Sequence, residues 1–290
     1  MTETGDVVNS VAPLDNVARL MGLIDRCQNR AHGLPGIGCL YGPAGRGKTT
    51  AATYAVNAAN ACHVEAMPIG GVKGLLRMIV IELGVKPART TEDMFLQVCE
   101  RLARTQRPLI IDEADHILTD RAIEIARRLH DVSQAPLILI GEERLPQKLQ
   151  HWERVASRVL SYVGMENASA KDVDHLARIY AGGLSLGPDL KSALLSASRG
   201  SIRHVATGLS NVREFAAING LTKLGMAEWG NRSEIFMLLR LEIDDTRWQS
   251  AMRAIRDAMR VEGSQTYIRA YRREAADAAW QPVTIDLARA

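Results

Sequence analysis

Apolar positions recur at helical and strand spacings in alternation through the first two thirds of the chain. Leu14, Val17, Leu20, Met21, Ile24 and Cys27 fall on one helical stripe, which predicts a helix over 14–31. Ile37-Gly38-Cys39-Leu40-Tyr41 is strand-sized, and the small-residue run Thr50–Ala55 after it suits a helix. A short strand is expected at 64–67. A helix follows at 71–84 with Leu75, Leu76, Ile79, Val80 and Leu83 inward, and Thr90 or Thr91 caps another that carries Met94, Phe95, Val98 and Leu102. Pro108–Asp112 and Pro136–Gly141 are continuous apolar runs, bracketing a helix at 121–132, and 159–163 reads as a last strand. Uninterrupted apolar strands alternating with helices imply a parallel sheet buried on both faces. From 168 to 219 the pattern is helical throughout, with starts at Ser169 or Asp172, Pro188 and Ser201. The last part differs: Trp229, Trp248 and Trp280 are three of the four tryptophans, 246–260 has helical spacing, and Tyr267–Tyr271 alternates like a half-exposed strand.

The junction between the first strand and its helix carries the sharpest chemistry. Gly42-Pro43-Ala44-Gly45-Arg46-Gly47-Lys48-Thr49 reads G-x-x-x-x-G-K-T in a strand–loop–helix setting. Glycines let successive main-chain N–H groups converge on one concavity, and the helix after it adds its positive end. This loop and Thr50 are the expected phosphate binders, with Lys48 reaching the β- and γ-phosphates of ATP and the Thr49 hydroxyl on Mg²⁺. Leu109–His116 supplies the partner: Asp112 ends a buried strand and can hold Mg²⁺ through its water shell. Glu113 is placed to orient or deprotonate an attacking water. Asp115 and His116 are weaker candidates. Hydrolysis also needs positive charge on the transferring group. Arg158 offers it across a subunit boundary, and Arg203 from within the chain.

Composition narrows the setting. The 290 residues are 47% hydrophobic, enough for one sizeable core or a core and a smaller lobe. No apolar run reaches membrane-span length, and the acidic start Glu3–Asp6 lacks a basic signal region, so a cytoplasmic protein that binds no membrane is expected. Cys27, Cys39, Cys62 and Cys99 are too scattered for a zinc site or disulfide framework. A net charge of +3 is only mildly basic, and 4% aromatics argue against a stacking platform for single strands.

At "GPAGRGKT", "LIIDEADH", "PLILIGEE", "ERVASRV" and "GSIRHV" the chain resembles AAA+ ATPases, and within them the family of the phage Mu B transposition protein, over about residues 14–225. The resemblance implies an α/β P-loop NTPase core at 1–165 with a parallel sheet flanked by helices, then an α-helical lid at 166–225. A small α+β tail at 226–290 resembles an uncharacterised family of Mu-like phages, which suggests pieces of two neighbouring reading frames or an added docking module. It further implies ATP-bound subunits assembling as an oligomer or helical filament on double-stranded DNA, with a transposase as partner, Arg158 as finger and Arg203 as second sensor. Two departures stand out. Glu142 occupies the first-sensor position, usually a polar amide, and only about 13 residues precede the first core helix, leaving no room for the family's helix-turn-helix domain. Helicase loading or replication initiation on the same core, and a hydrolysis-poor nucleotide-dependent scaffold, are the alternatives. For DNA, Lys73 and Arg77 are the expected phosphate contacts, with Arg121, Arg127 and Arg128 as a second set; no base-reading motif is visible.

Overall fold

A computed structural model describes residues 14–229 and, as backbone strands, 239–244, 267–273 and 281–286. The described residues divide into two compact units, one holding those up to His175 with Gly200–Arg203, the other Leu176–Arg199 with those from His204 onward.

The first unit is built on five parallel strands: β1 (Ile37–Tyr41), β2 (Cys62–Glu65), β3 (Leu109–Asp112), β4 (Leu137–Gly141) and β5 (Val159–Gly164). Their order is β2-β3-β4-β1-β5, so β4 lies between the strand that leads into the glycine loop and the strand that ends in Asp112. Helices α1 (Asp15–Gln28) and α2 (Lys48–Ala58) pack together, and α3 (Gly71–Glu82), α4 (Thr91–Thr105) and α5 (Asp120–Ser133) form a second group. Every residue of β3 and β4 is buried, as their unbroken apolar runs predict. Thr90 caps α4 by accepting the Asp93 N–H at 3.0 Å. Two short helices, α6 (Leu145–Gln150) and α7 (Glu153–Ala156), link β4 to β5.

The expected strand at 64–67 is displaced: β2 runs Cys62–Glu65, and Met67 is exposed. The apolar pattern there could not show that the ladder to β3 begins at Cys62 opposite Leu109. Helices α8 (Ala170–Tyr180), α9 (Pro188–Ala197) and α10 (Ile202–Ile218) start where capping residues and Pro188 point. Ser169 and Asp172 bond each other's main chain reciprocally, a capping box. The region is not helical throughout, however. β6 (Ser185–Leu186) pairs in parallel with β7 (Lys223–Leu224), a two-residue ladder too short to register as a periodicity. In the second unit Trp229, at the end of α11 (Met226–Trp229), is buried edge-on against Phe215, with centroids 5.2 Å apart. β8 (Leu239–Asp244), β9 (Tyr267–Arg273) and β10 (Gln281–Asp286) form a mixed sheet in which β9 is central. The helix expected at 246–260, with Trp248, lies outside the described residues, as does Trp280.

The N-terminal edge of the main sheet is tied by one histidine. His130 is buried; its Nε2 accepts the Gly36 N–H at 3.1 Å, which leaves Nδ1 to donate to the Ala135 carbonyl at 2.8 Å. The ring is therefore neutral. Burial pushes its pKa below the ordinary value of 6.5 and the nearby Arg30 adds to the shift, outweighing the Ala135 carbonyl and Asp131. Because the folded pKa lies below the unfolded one, this stabilisation is complete above the unfolded value and declines as pH falls through it. The unfolding free energy of the wild type should exceed that of His130→Gln by a margin that shrinks between about pH 7.5 and about pH 5 in urea titrations. A constant margin would mean that folding leaves the ring's pKa where it is in the unfolded chain, and a margin that grows as pH falls would mean that the ring is charged in the fold.

Candidate nucleotide site

Parallel strands deliver their C-terminal ends to one edge, and the predicted loop emerges there from β1. Gly45 and Gly47 have φ of +78° and +86°, values that side-chain-bearing residues rarely adopt. The loop is held from outside. Gly42 N–H donates to the Gly141 carbonyl at 3.3 Å, and the Arg46 carbonyl accepts from Asn16 Nδ2 at 3.0 Å. The turn Gly200–Arg203 also closes on it. Arg203 N–H and Ser201 Oγ donate to the Gly45 carbonyl at 3.1 and 3.3 Å, and Ile202 packs beside Gly47. Of the expected phosphate binders, Pro43 and Ala44 lie between these supports, and Thr50 lies in the first turn of α2.

Lys48 is buried, its Nζ donating to the carbonyls of Gly42 and Pro43 at 2.8 and 3.2 Å. Thr49 Oγ1 donates to Asp112 Oδ2 at 2.9 Å. The two residues predicted for Mg²⁺ thus meet although 63 positions apart in the chain. Asp112 is fully buried, and its other oxygen accepts the Glu113 N–H at 2.9 Å. His63 Nε2, on β2, stands 3.8 Å from Oδ2, the distance of a charge contact and not of a hydrogen bond. Burial pushes the Asp112 carboxyl up, but the His63 ring, the Glu113 amide and the Thr49 hydroxyl together hold it below the ordinary carboxylate range. A hydroxyl and an ionised carboxylate suit Mg²⁺, which takes one or two protein oxygens and otherwise phosphates and water. Among the described residues no cluster of three or more His, Cys, Asp or Glu offers an all-protein cage.

Glu113 follows with φ +52° and ψ +39°, left-handed backbone for a residue with a side chain. Asp115 accepts from the Glu142 N–H at 2.7 Å and pairs with Lys148 at 2.5 Å, joining the loop after β3 to the loop after β4. Glu142, the residue expected at the first-sensor position, is exposed, and so is His116. The side chain of Arg203, beside the loop, is exposed. Arg158 is elsewhere. It precedes β5 at the N-terminal edge of the sheet, with Nε on Asp131 at 3.2 Å, so the fold does not bring it to its own chain's loop. Lys73 and Arg77, one turn apart on α3, and Arg121, on α5, are exposed; Lys73 and Arg121 lie in the first turns of helices that leave the same edge as the loop, and Arg77 lies mid-helix. Arg128 is exposed, whereas Arg127 is largely buried between Glu124 and Asp131. The four cysteines are free and buried; burial pushes Cys39 and Cys62 up to about 12 and Cys27 and Cys99 up to about 11, so none is poised as a thiolate.

Residues 31–149 match the family model described as AAA domain. Residues 226–289 match a second model, described as a protein of unknown function (DUF3164). Solved structures share the AAA+ P-loop NTPase fold. The Orc1 protein of Aeropyrum pernix in complex with DNA aligns at 16% identity over 85% of this chain and 67% of that one, with a TM-score of 0.52. Cdc6p from Pyrobaculum aerophilum aligns at 15% identity over 71% of this chain and 62% of that one, at 0.54. The chain thus spans about two thirds of each. Comparison with curated proteins gives no match.

Asn16 and His63 have no place in the motif reading, and Ser201 enters it only as a helix start and not as a support of the loop. Asn16 carried one legible signal, a polar side chain on the same helical stripe as Leu20, Ile24 and Cys27, all buried. His63 and Ser201 are brought to the site by strand register and by the Gly200 turn, which no local pattern encodes. The left-handed Glu113 yields a test. Glu113→Gly should raise the unfolding free energy by about 1 kcal/mol, the steric cost of an L-residue there. An unchanged or lower value in urea unfolding would mean that no strain is held at that position.

Proposed function

We propose that the chain is a Mg²⁺-dependent ATPase that binds double-stranded DNA when loaded with ATP and serves transposition by capturing target DNA and activating a transposase. The observation that carries the ATPase reading is the pairing of Thr49 with Asp112 beside a glycine loop whose lysine is buried. The loop amides and Lys48 hold the phosphates, and Thr49 and Asp112 hold the metal. Mg²⁺, when bound, neutralises charge on the β- and γ-phosphates. Glu113 orients a water and takes its proton. Arg203, at the start of α10, contacts the nucleotide from the same chain. Arg158, at the opposite edge of the sheet, suits a neighbouring subunit's nucleotide, which makes assembly a condition for turnover. ATP at such a boundary favours the oligomer, and hydrolysis releases it from DNA.

Transposition rests on the motif resemblance. A second reading, replication initiation, is favoured by the fold likeness to Orc1 and Cdc6p, the former solved with DNA. Phosphate release by the full chain, measured with and without duplex DNA and then with a transposase or a replicative helicase, separates these. Release raised by duplex and again by transposase supports the proposal. A response to helicase alone moves the chain to replication, and no release under any condition leaves a nucleotide-dependent scaffold.

Lys73 and Arg77 are assigned to the DNA backbone. Removal of one cation from a DNA phosphate should flatten the slope of log affinity against log salt by about 0.9. The double variant Lys73→Ala/Arg77→Ala should therefore show a slope shallower by up to about 1.8 in a fluorescence-anisotropy salt series. An unchanged slope would remove both from the DNA surface.

A further inference from the structure

An anion cradle of main-chain amides needs its N–H groups turned inward. In a planar trans peptide the carbonyl points opposite to the N–H, so the outward carbonyls of the loop govern the inward amides. Two consecutive carbonyls, of Gly45 and Arg46, are taken by donors outside the loop. The first accepts from Arg203 N–H and Ser201 Oγ, and the second from Asn16 Nδ2.

Asn16 is 4% exposed, and its amide is used at both ends. Nδ2 donates to the carbonyls of Arg46 and Glu166, each at 3.0 Å, and Oδ1 accepts the Glu166 N–H at 3.0 Å. Three bonds in two directions fix the plane of the side chain. The helix start that carries it is anchored as well: the Asp15 N–H donates at 3.1 Å to Asp172, a buried residue that also caps α8. The segment after β5 runs alongside, with Met165 N–H on the Tyr41 carbonyl at 2.8 Å and its side chain against Gly42.

The geometry points to Asn16 as a positioning residue of the phosphate site. By holding the Arg46 carbonyl outward it sets the Arg46–Gly47 peptide so that the Gly47 N–H faces the phosphates. It is not catalytic, since it acts only through the loop. The assignment rests on the reading of 42–49 as a phosphate loop, and it explains why an asparagine sits on an apolar stripe. Aspartate has the same shape but offers no donor, so a carboxylate would face two carbonyls. Leucine keeps the volume and the apolar stripe but leaves the Arg46 carbonyl unpaired.

The test is calorimetric binding of inorganic tripolyphosphate with Mg²⁺ to the full chain, below the melting temperature of each variant recorded without ligand. Asn16→Asp and Asn16→Leu, each compared while folded, should bind on the order of ten-fold or more weakly than the wild type. A merely structural role predicts that the leucine variant, once folded, binds as the wild type does, and that result would overturn the proposal. If neither variant folds, Asn16→Ser, too short to reach Arg46 from the same helix position, is read in the same way. A wild type that binds no tripolyphosphate and no MgATP would instead reject the phosphate-loop reading itself.

Discussion

The hydrogen bond from Thr49 to Asp112 joins the two halves of the site, and the rest of the arrangement depends on it. One partner begins a helix after β1 and the other ends β3, strands separated by β4. They meet because all five strands run the same way and release their C-terminal ends along one edge. The carboxylate is fully buried yet ionised, which requires the hydroxyl and amide donors that bond it and the imidazole that stands nearby. A buried acid with a depressed pKa, next to a loop of converging amides, is an arrangement that a bound cation and a polyphosphate would complete.

Support for that loop comes from three distant stretches of chain. Residue 16 lies before the first strand, Met165 after the last, and Ser201 and Arg203 in a turn whose glycine returns to the core. Each contact takes an outward carbonyl or fills the space beside a glycine, so the loop's curvature is imposed from outside as well as allowed by its composition. Tension is found one residue beyond Asp112, where Glu113 adopts a left-handed backbone, a place where function commonly outweighs local comfort. Asp115 extends the connection through Glu142 and Lys148, so the loops after β3 and β4 are coupled at the same edge.

Much of this was legible in the residue order. Continuous apolar runs announced β3 and β4, and the capping residues Thr90 and Ser169 marked helix starts. The motifs at 42–49 and 109–113 named the side chains that converge. What was hidden was non-local. The β6–β7 ladder spans two residues on each side, too few for a period. The start of β2 was set by its register with β3. Asn16 and His63 belong to no motif because their partners lie 30 or more positions away in the chain. Arg158 was named from its segment, but only strand direction places it at the far edge, away from its own loop.

The central claim is a metal-dependent triphosphate site built on Thr49 and Asp112. Its most direct test is calorimetric titration of ATP into the full chain with and without Mg²⁺, for the wild type and Asp112→Asn. The account predicts one site per chain whose affinity rises with Mg²⁺ in the wild type, a gain largely absent from the variant. Affinity indifferent to Mg²⁺ in the wild type, or an equal Mg²⁺ gain in Asp112→Asn, would contradict it.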